Sequence, residues 1–343
     1  MSDNASLHRP VIVGGAAIPG NLFLAPVAGY SDAAFRSVCA DEGADLCFTE
    51  MVSAEALVRG HKRTRELMAR AENETRYAIQ LFGSKPETLA RAAILCLEFK
   101  PALVDLNCGC PVPKIVKAGA GSALMREPGL VREIVRAMAE ALSPSGVPVT
   151  VKIRSGWDEG SRNFMEVAAA AVEGGAAAVT LHARTRAMGY SGKAAWPEIA
   201  RLAAALPVPV FGSGDLFSAE AARRMLEETA CAGAMIARGA MGNPFVFREA
   251  RALLEGLPAP AIGVREKAEA ARKHLLLSVR FLGERTACVE FRKQFCSYTK
   301  GTVAGAALRS EAVRAAGLAE LLALLDRWAA SGDPAFGESA SEA

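Results

Sequence analysis

Eight short apolar runs, four to seven residues each, recur along the chain with helix-length Ala/Leu/Glu/Arg-rich stretches between them. They are Leu22–Val27, Leu46–Met51, Tyr77–Phe82, Leu103–Leu106, Val147–Ile153, Ala177–His182, Val208–Gly212 and Ala234–Ala237. Runs of this length bounded by turn residues are buried parallel strands, and the segments between them supply the crossover helices. Eight such units in about 230 residues predict a (β/α)8 barrel, an α/β TIM fold. Pro86, Pro128 and Pro197 stand where helices should begin, at positions whose N–H needs no partner, and Ser218 is a candidate N-cap. Val11–Ile18, ahead of the first run, predicts a hairpin closing the far end of the barrel. The charged connector Ser53–Arg76 predicts extra helix on the rim. Beyond the Pro/Gly-rich stretch around Gly256–Pro260 the pattern turns wholly helical. The expected organisation is therefore a barrel over residues 1–255, an all-helical domain over 263–330 and a flexible Gly/Ser/Glu tail over 331–343.

Function is constrained by what the ends of the runs carry. In such a barrel the C-terminal ends of the strands converge on one mouth, where the chemistry sits. Here those ends supply Pro26–Ala28, Glu50-Met51, Gln80, Asn107/Cys110, Lys152/Arg154, His182/Arg184, Ser213-Gly214-Asp215 and Ala237-Arg238. A barrel held together for stability alone would not need a polar group at nearly every end. The fourth end, Leu106-Asn107-Cys108-Gly109-Cys110-Pro111, puts a thiol on a loop just past a buried strand. A free cysteine is usually a small buried hydrophobe, and these residues by themselves leave that role open beside a chemical one. The last two ends are small-residue loops at the usual phosphate position of these barrels, where backbone N–H groups stabilise an anion and Arg238 adds a charge-assisted contact. They also admit the plainer role of tight turns.

Lys152 lies in a run that should be buried, where an unpaired cation is costly. It needs a structural carboxylate such as Glu50, or an anionic ligand. A phosphate-bearing cofactor with an electron-rich ring would satisfy both Lys152 and the loops. Flavin mononucleotide (FMN) fits: Gln80 can bond the ring edge, Pro26–Ala28 can pack its face, and Lys152 can stabilise the reduced anionic ring. His182 is either a core histidine bonded to a carbonyl or a further polar contact to ring or substrate.

Composition closes off other classes. No apolar run approaches the ~18 residues needed to span a bilayer, so no membrane partner is expected. The first residues lack the basic and apolar regions of a secretory signal. Eight cysteines without a CxxC pair or zinc-type histidine spacing predict reduced thiols, no metal and a cytoplasmic location. The net charge of +3 is uninformative, but Val264–Ala330 holds 12 Lys/Arg against 7 Asp/Glu, a net of +5, leaving −2 for the rest. A basic helical module on a mildly acidic body is an electrostatic footprint for a polyanion.

Together the motifs Ala25-Pro26-Val27-Ala28-Gly29-Tyr30-Ser31-Asp32, Leu106–Pro111, Gly121-Ser122-Ala123-Leu124-Met125, Val151-Lys152-Ile153-Arg154-Ser155-Gly156-Trp157 and His182-Ala183-Arg184-Thr185 resemble the tRNA-dihydrouridine synthases, nearest to their bacterial B-type subgroup. The resemblance runs from about Asn21 to Arg251 and continues more faintly through Phe291-Arg292-Lys293. It implies an FMN-dependent barrel, a helical domain that helps hold tRNA, and NADPH-driven reduction of a flipped-out uridine to 5,6-dihydrouridine, with no obligate protein partner. By position it implies FMN contacts from Pro26, Val27, Ala28, Gln80, Lys152, Ser213, Gly214, Asp215, Ala237 and Arg238. Cys110, rather than Cys108, falls on the proton donor. Asn107, Lys114, Arg154, Arg184, Arg292 and Lys293 are the expected substrate contacts. The chain departs from the family pattern at Val27, Ser213 and Ala237, the last of which matters only if that backbone needs positive φ. A small-molecule flavin reductase on the same barrel is the nearest rival, and the basic helical domain argues against it.

Overall fold

A computed structural model describes residues 6–302 and 305–331. Two short strands, β1 (Val11–Val13) and β2 (Ala16–Ile18), form an antiparallel hairpin. Nine parallel strands follow: β3 (Leu22–Leu24), β4 (Leu46–Phe48), β5 (Val52–Ser53), β6 (Tyr77–Phe82), β7 (Leu103–Asn107), β8 (Val149–Arg154), β9 (Ala178–His182), β10 (Val210–Ser213) and β11 (Gly233–Ile236). Each major strand pairs with the next, β11 pairs with β3, and β4 pairs with β6, so eight strands close into a ring while the two-residue β5 adds to the end of β6.

Side chains alternate in and out along each strand. The outward set, including Leu22, Leu24, Ile79, Leu81, Val104, Leu106, Val151 and Leu181, packs against the surrounding helices. The inward set at the lower end, Phe23, Leu46, Phe48, Ala78, Leu103, Ala178, Phe211 and Met235, packs with Val11, Val13 and Ile18 of the hairpin. The hairpin thus seals the N-terminal end of the barrel and leaves a single mouth at the other. Helix Pro128–Leu142 shows the helical counterpart: Val131, Ile134, Val135, Met138 and Leu142 make one buried stripe, with proline in the first turn. Ser218 caps the helix that follows β10 by accepting from Ala221 N at 3.2 Å.

Several strands are shorter than their apolar runs. β3 stops at Leu24 because Pro26 lacks an N–H, and the Val27 carbonyl turns back to accept from Tyr30 and Ser31. The connector after β5 carries two helices, Ala54–Val58 and Lys62–Glu66. It is pinned by the fully buried Arg36, whose Nε donates to Glu74 at 2.7 Å and Nη1 to the Ser31 carbonyl at 3.0 Å.

Four helices, Val264–Leu282, Glu284–Tyr298, Gly305–Arg314 and Leu318–Ala330, form a second core around Leu275, Phe291, Phe295, Tyr298 and Trp328. Large buried side chains like these each contribute roughly 1.5–3 kcal/mol. The bundle docks on the barrel helix Ala33–Asp41, where the rings of Phe35 and His274 stack at 5.4 Å. Ion pairs Lys273–Asp41 and Arg280–Glu72 flank the contact. The expected tail over 331–343 lies, but for Ser331, outside the described residues. Among the described residues no helix is long and apolar enough to cross a membrane.

Candidate active site at the barrel mouth

The inward register that is apolar at the bottom of the barrel turns polar toward the mouth: Gln80 on β6, Asp105 and Asn107 on β7, Thr150, Lys152 and Arg154 on β8, His182 on β9 and Ser213 on β10. Above them opens a cavity of about 260 Å³. Its lining includes Pro26, Val27, Ala28, Gln80, Asn107, Cys110, Lys152, Arg154, His182, Ser213, Gly214, Asp215, Ala237 and Arg238, with Met51, Tyr190 and Phe217 at the edge.

A buried hydrogen-bond chain crosses the floor. Thr150 Oγ1 donates to Asp105 Oδ1 at 2.6 Å and Gln80 Nε2 to Asp105 Oδ2 at 2.7 Å. Asn107 Nδ2 donates to Gln80 Oε1 at 2.7 Å, and Asn107 Oδ1 accepts the N–H groups of Gly109 (3.1 Å) and Cys110 (2.9 Å). The Cys110 carbonyl accepts from Ser122 N at 3.0 Å. Gly121, at φ +61°, sits so close that a Cβ there would lie 2.7 Å from that carbonyl. Cys110 is therefore held on both sides of its peptide, whereas Cys108 is fully buried in the outer core.

Burial pushes the Cys110 thiol up from its ordinary value, with a Val112 backbone bond, Arg154 and Lys152 partly opposing. The thiol is protonated at neutral pH. Burial, aided by Arg154, brings Lys152 down to about 8 against the pull of Asp105 and Cys110. Asp105 is pushed up to about 6, chiefly by burial. The carboxylate that acts on Lys152 is thus Asp105. Glu50, offered from sequence as one possible partner beside an anionic ligand, instead accepts from Gly29 N at 2.6 Å. His182 is held well below its ordinary value by burial and by Lys152, Arg154, Arg184 and Arg238, so it is neutral. Its Nε2 lies 3.4 Å from Arg184 Nη1, a group that can only donate, which puts the ring proton on Nδ1.

The loops after β10 and β11 are glycine-dependent. A Cβ on Gly214 (φ +121°) would lie 2.7 Å from Ala194 Cβ, and one on Gly239 would lie 2.0 Å from the Leu216 carbonyl oxygen. Asp215 occupies the left-handed region at φ +58°. It is locked there by Arg184 Nη2, at 2.6 and 2.7 Å from its two oxygens, and by Ala194 N at 2.8 Å. Burial pushes the Asp215 carboxyl up, but these bonds outweigh it and hold the group below its ordinary range. Ala237 has φ −113°, so its backbone does not use the positive φ that would call for glycine. Arg238 lies between the Tyr190 and Phe217 rings, 4.6 and 4.9 Å from their centroids.

Four of the expected substrate contacts lie outside the cavity. Arg184 is buried, its guanidinium spent on Asp215 and on the Ser191 and Gly192 carbonyls, so it holds the β10 loop rather than reaching the opening. Lys114 is exposed on the short helix Pro113–Lys117 just past Cys110. Arg292 donates to the Ala315 carbonyl at 2.8 Å within the helical bundle. Lys293 reaches toward the β3 loop, 5.5 Å from the Tyr30 ring centroid and paired with Glu290. Arg154 does line the cavity, yet its guanidinium bonds the Gly109, Thr185 and Gly189 carbonyls and braces the cysteine loop. Asp105 and Thr150 were missed. An acid inside the run Leu103–Leu106 was the available signal, masked by the apolar residues either side.

A closed parallel barrel with a sealed base, and with a thiol, a lysine and two glycine-dependent loops gathered at its one mouth, is an enzyme of the TIM-barrel fold. Solved structures share this fold: histamine dehydrogenase from Rhizobium sp. 4-9 (TM-score 0.56, 15% identity, covering 80% of this chain and 51% of that one) and morphinone reductase (0.51, 14%, 75% and 93%). This chain spans about half the length of the histamine dehydrogenase. Residues 23–331 match the family model for dihydrouridine synthase (Dus), and the chain belongs to that family. Relatives include the probable tRNA-dihydrouridine synthase of Treponema pallidum (strain Nichols), 48% identical over 93% of this chain and 96% of that one. The tRNA-dihydrouridine synthase B of Pasteurella multocida (strain Pm70) is 34% identical over 84% and 86%.

Proposed function

We propose that the protein reduces specific uridines of tRNA to 5,6-dihydrouridine, using FMN recharged by NADPH, with Cys110 as the proton donor. The observation that carries this reading is a neutral thiol, fixed at both sides of its peptide, at the mouth of a cavity that also holds a lysine whose nearby carboxylate is taken up by Gln80 and Thr150. The residues fit a flavin mononucleotide in kind. Lys152, the neutral His182 and the second N–H of Gln80 would offer polar partners to the ring. Ser213–Asp215, Ala237 and Arg238 offer donors and charge for the phosphate, and Pro26–Ala28 form an apolar wall.

Bound FMN would supply the hydride that goes to C6 of the uracil ring. Cys110 Sγ–H gives its proton to C5, and the thiolate left behind is reprotonated by solvent. Asn107 holds the cysteine loop, Lys152 would supply positive charge to the bound ring, and Arg154 braces the same loop from β8. A base stacked in folded RNA cannot enter a barrel mouth, so the nucleotide must be flipped out. Lys114 and Lys293 on the rim, with the basic helical bundle, serve the phosphates. Free thiols throughout the described residues suit a reducing, cytoplasmic setting.

Cys110→Ala tests the assignment. The variant is expected to keep its flavin spectrum and NADPH oxidation while dihydrouridine formation falls at least 100-fold, on the order of a lost general acid. Full retained activity would remove Cys110 from this role.

A further inference from the structure

We infer that Asp105 is the positioning residue of this site: as an acceptor at the buried end of a two-amide chain, it sets the direction of Gln80 and Asn107 and thereby holds the backbone that carries Cys110. Its importance for catalysis rests on the reading above; its effect on the loop does not. The two side-chain amides lie in series between Asp105 on β7 and the N–H groups of Gly109 and Cys110. An amide can sit either way round at almost equal steric cost, so direction is decided by the ends of the chain. One end, the loop N–H pair, can only donate. The other, the Asp105 carboxylate, accepts from both Gln80 (2.7 Å) and Thr150 (2.6 Å). With an acceptor there, every bond is satisfied in one arrangement only: Gln80 turns its NH2 down, Asn107 turns its NH2 toward Gln80, and the Asn107 oxygen faces the loop.

Asp105 and Gln80 are almost completely buried, so water cannot replace a lost partner. Without the acceptor, the Gln80 NH2 is orphaned. Nothing then fixes the direction of Gln80; once it swings toward a new acceptor it takes its oxygen from Asn107 Nδ2, and Asn107 loses the bond that keeps its own oxygen on the Gly109 and Cys110 N–H groups. Thr150 adds a second property. Its hydroxyl can accept as well as donate, so an amide at position 105 could give its NH2 to Thr150 and keep its oxygen toward Gln80. The chain therefore needs an acceptor at 105 and not the charge itself.

Hydrogen exchange of the Gly109 and Cys110 amides, read by NMR on flavin-free protein, separates these cases. Asp105→Leu is expected to lower protection of these two amides at least tenfold relative to the barrel average, while Asp105→Asn stays within about threefold of the parent. Unchanged protection in D105L, or equal losses in both variants, would overturn the inference. Should D105L fail to fold, D105N combined with Thr150→Val decides: without the hydroxyl the loss should exceed the sum of the two single losses, and additivity would overturn it. In the loaded enzyme, D105L should slow flavin reoxidation by RNA more than flavin reduction by NADPH, with D105N rescuing the difference. A parent protein that binds no flavin would count against the functional reading and leave the exchange result standing.

Discussion

Cys110 keeps its proton at neutral pH because burial raises its pKa, and the Arg154 and Lys152 cations, which would favour the thiolate, only partly offset it. A thiol in that state is suited to give a proton to carbon and poorly suited to attack as a nucleophile. Lys152 is the complementary residue. Its pKa of about 8 lies below the ordinary 10.5, so the cation costs stability, fully below about pH 8 and not at all above about 10.5. Lys152→Met should therefore leave the flavin-free protein at least as stable at pH 7 while weakening affinity for reduced FMN at least tenfold. In the parent, that affinity should fall as pH rises through 8. Calorimetry and flavin titration check both, and a destabilised variant with unchanged affinity would contradict them. At this scale charge was legible in the sequence, but its employment was not. Lys152 stood out as a cation in an apolar run, whereas Arg184 looked available for substrate and is instead saturated by Asp215 and two carbonyls.

The elements explain why these groups meet. Parallel strands put β6, β7 and β8 side by side, with Gln80 paired to Asp105 and Asn107 to Lys152 in register. The short apolar runs announced the barrel because buried parallel strands need such runs, and a proline in the first turn marked the start of several helices. The upper members of the inward polar ladder were read from the strand ends, but Asp105 and Thr150, one step deeper, stayed hidden, since which of two alternating faces points inward is settled only when the ring closes. Asp105, passed over inside the apolar run Leu103–Leu106, is the inward residue that anchors Gln80 and Thr150. The Gly121–Met125 segment belongs to this scale too. Gly121 combines φ +61° with a would-be Cβ 2.7 Å from the Cys110 carbonyl oxygen. Gly121→Ala should displace the cysteine loop, costing roughly 1–3 kcal/mol of stability and at least tenfold in uridine reduction while flavin stays bound. Thermal unfolding and single-turnover assays would show it, and normal turnover would mean that the loop tolerates the shift.

The whole molecule is a barrel with one open end and a helical bundle fastened beside it by Phe35 against His274 and by flanking ion pairs. Two of the bundle's cations are engaged by acids of the barrel, Lys273 by Asp41 and Arg280 by Glu72. The net +5 visible in the sequence therefore overstates the charge open to a polyanion. Exposed Lys114 and Lys117, beside the mouth, carry a cleaner expectation. Replacing both with alanine should raise the Kd for tRNA several-fold and reduce the salt dependence of binding by about one to two counterions, with flavin reduction unaltered; an unchanged salt slope would place the RNA elsewhere. The central claim meets its most direct test in a single anaerobic turnover. Protein reduced with one equivalent of NADPH is mixed with unmodified tRNA, and flavin absorbance is followed while dihydrouridine is measured by mass spectrometry. One dihydrouridine per flavin reoxidised, formed by the parent and lost in Cys110→Ala, is the predicted result; reoxidation without dihydrouridine, or no flavin to reoxidise, would contradict the account.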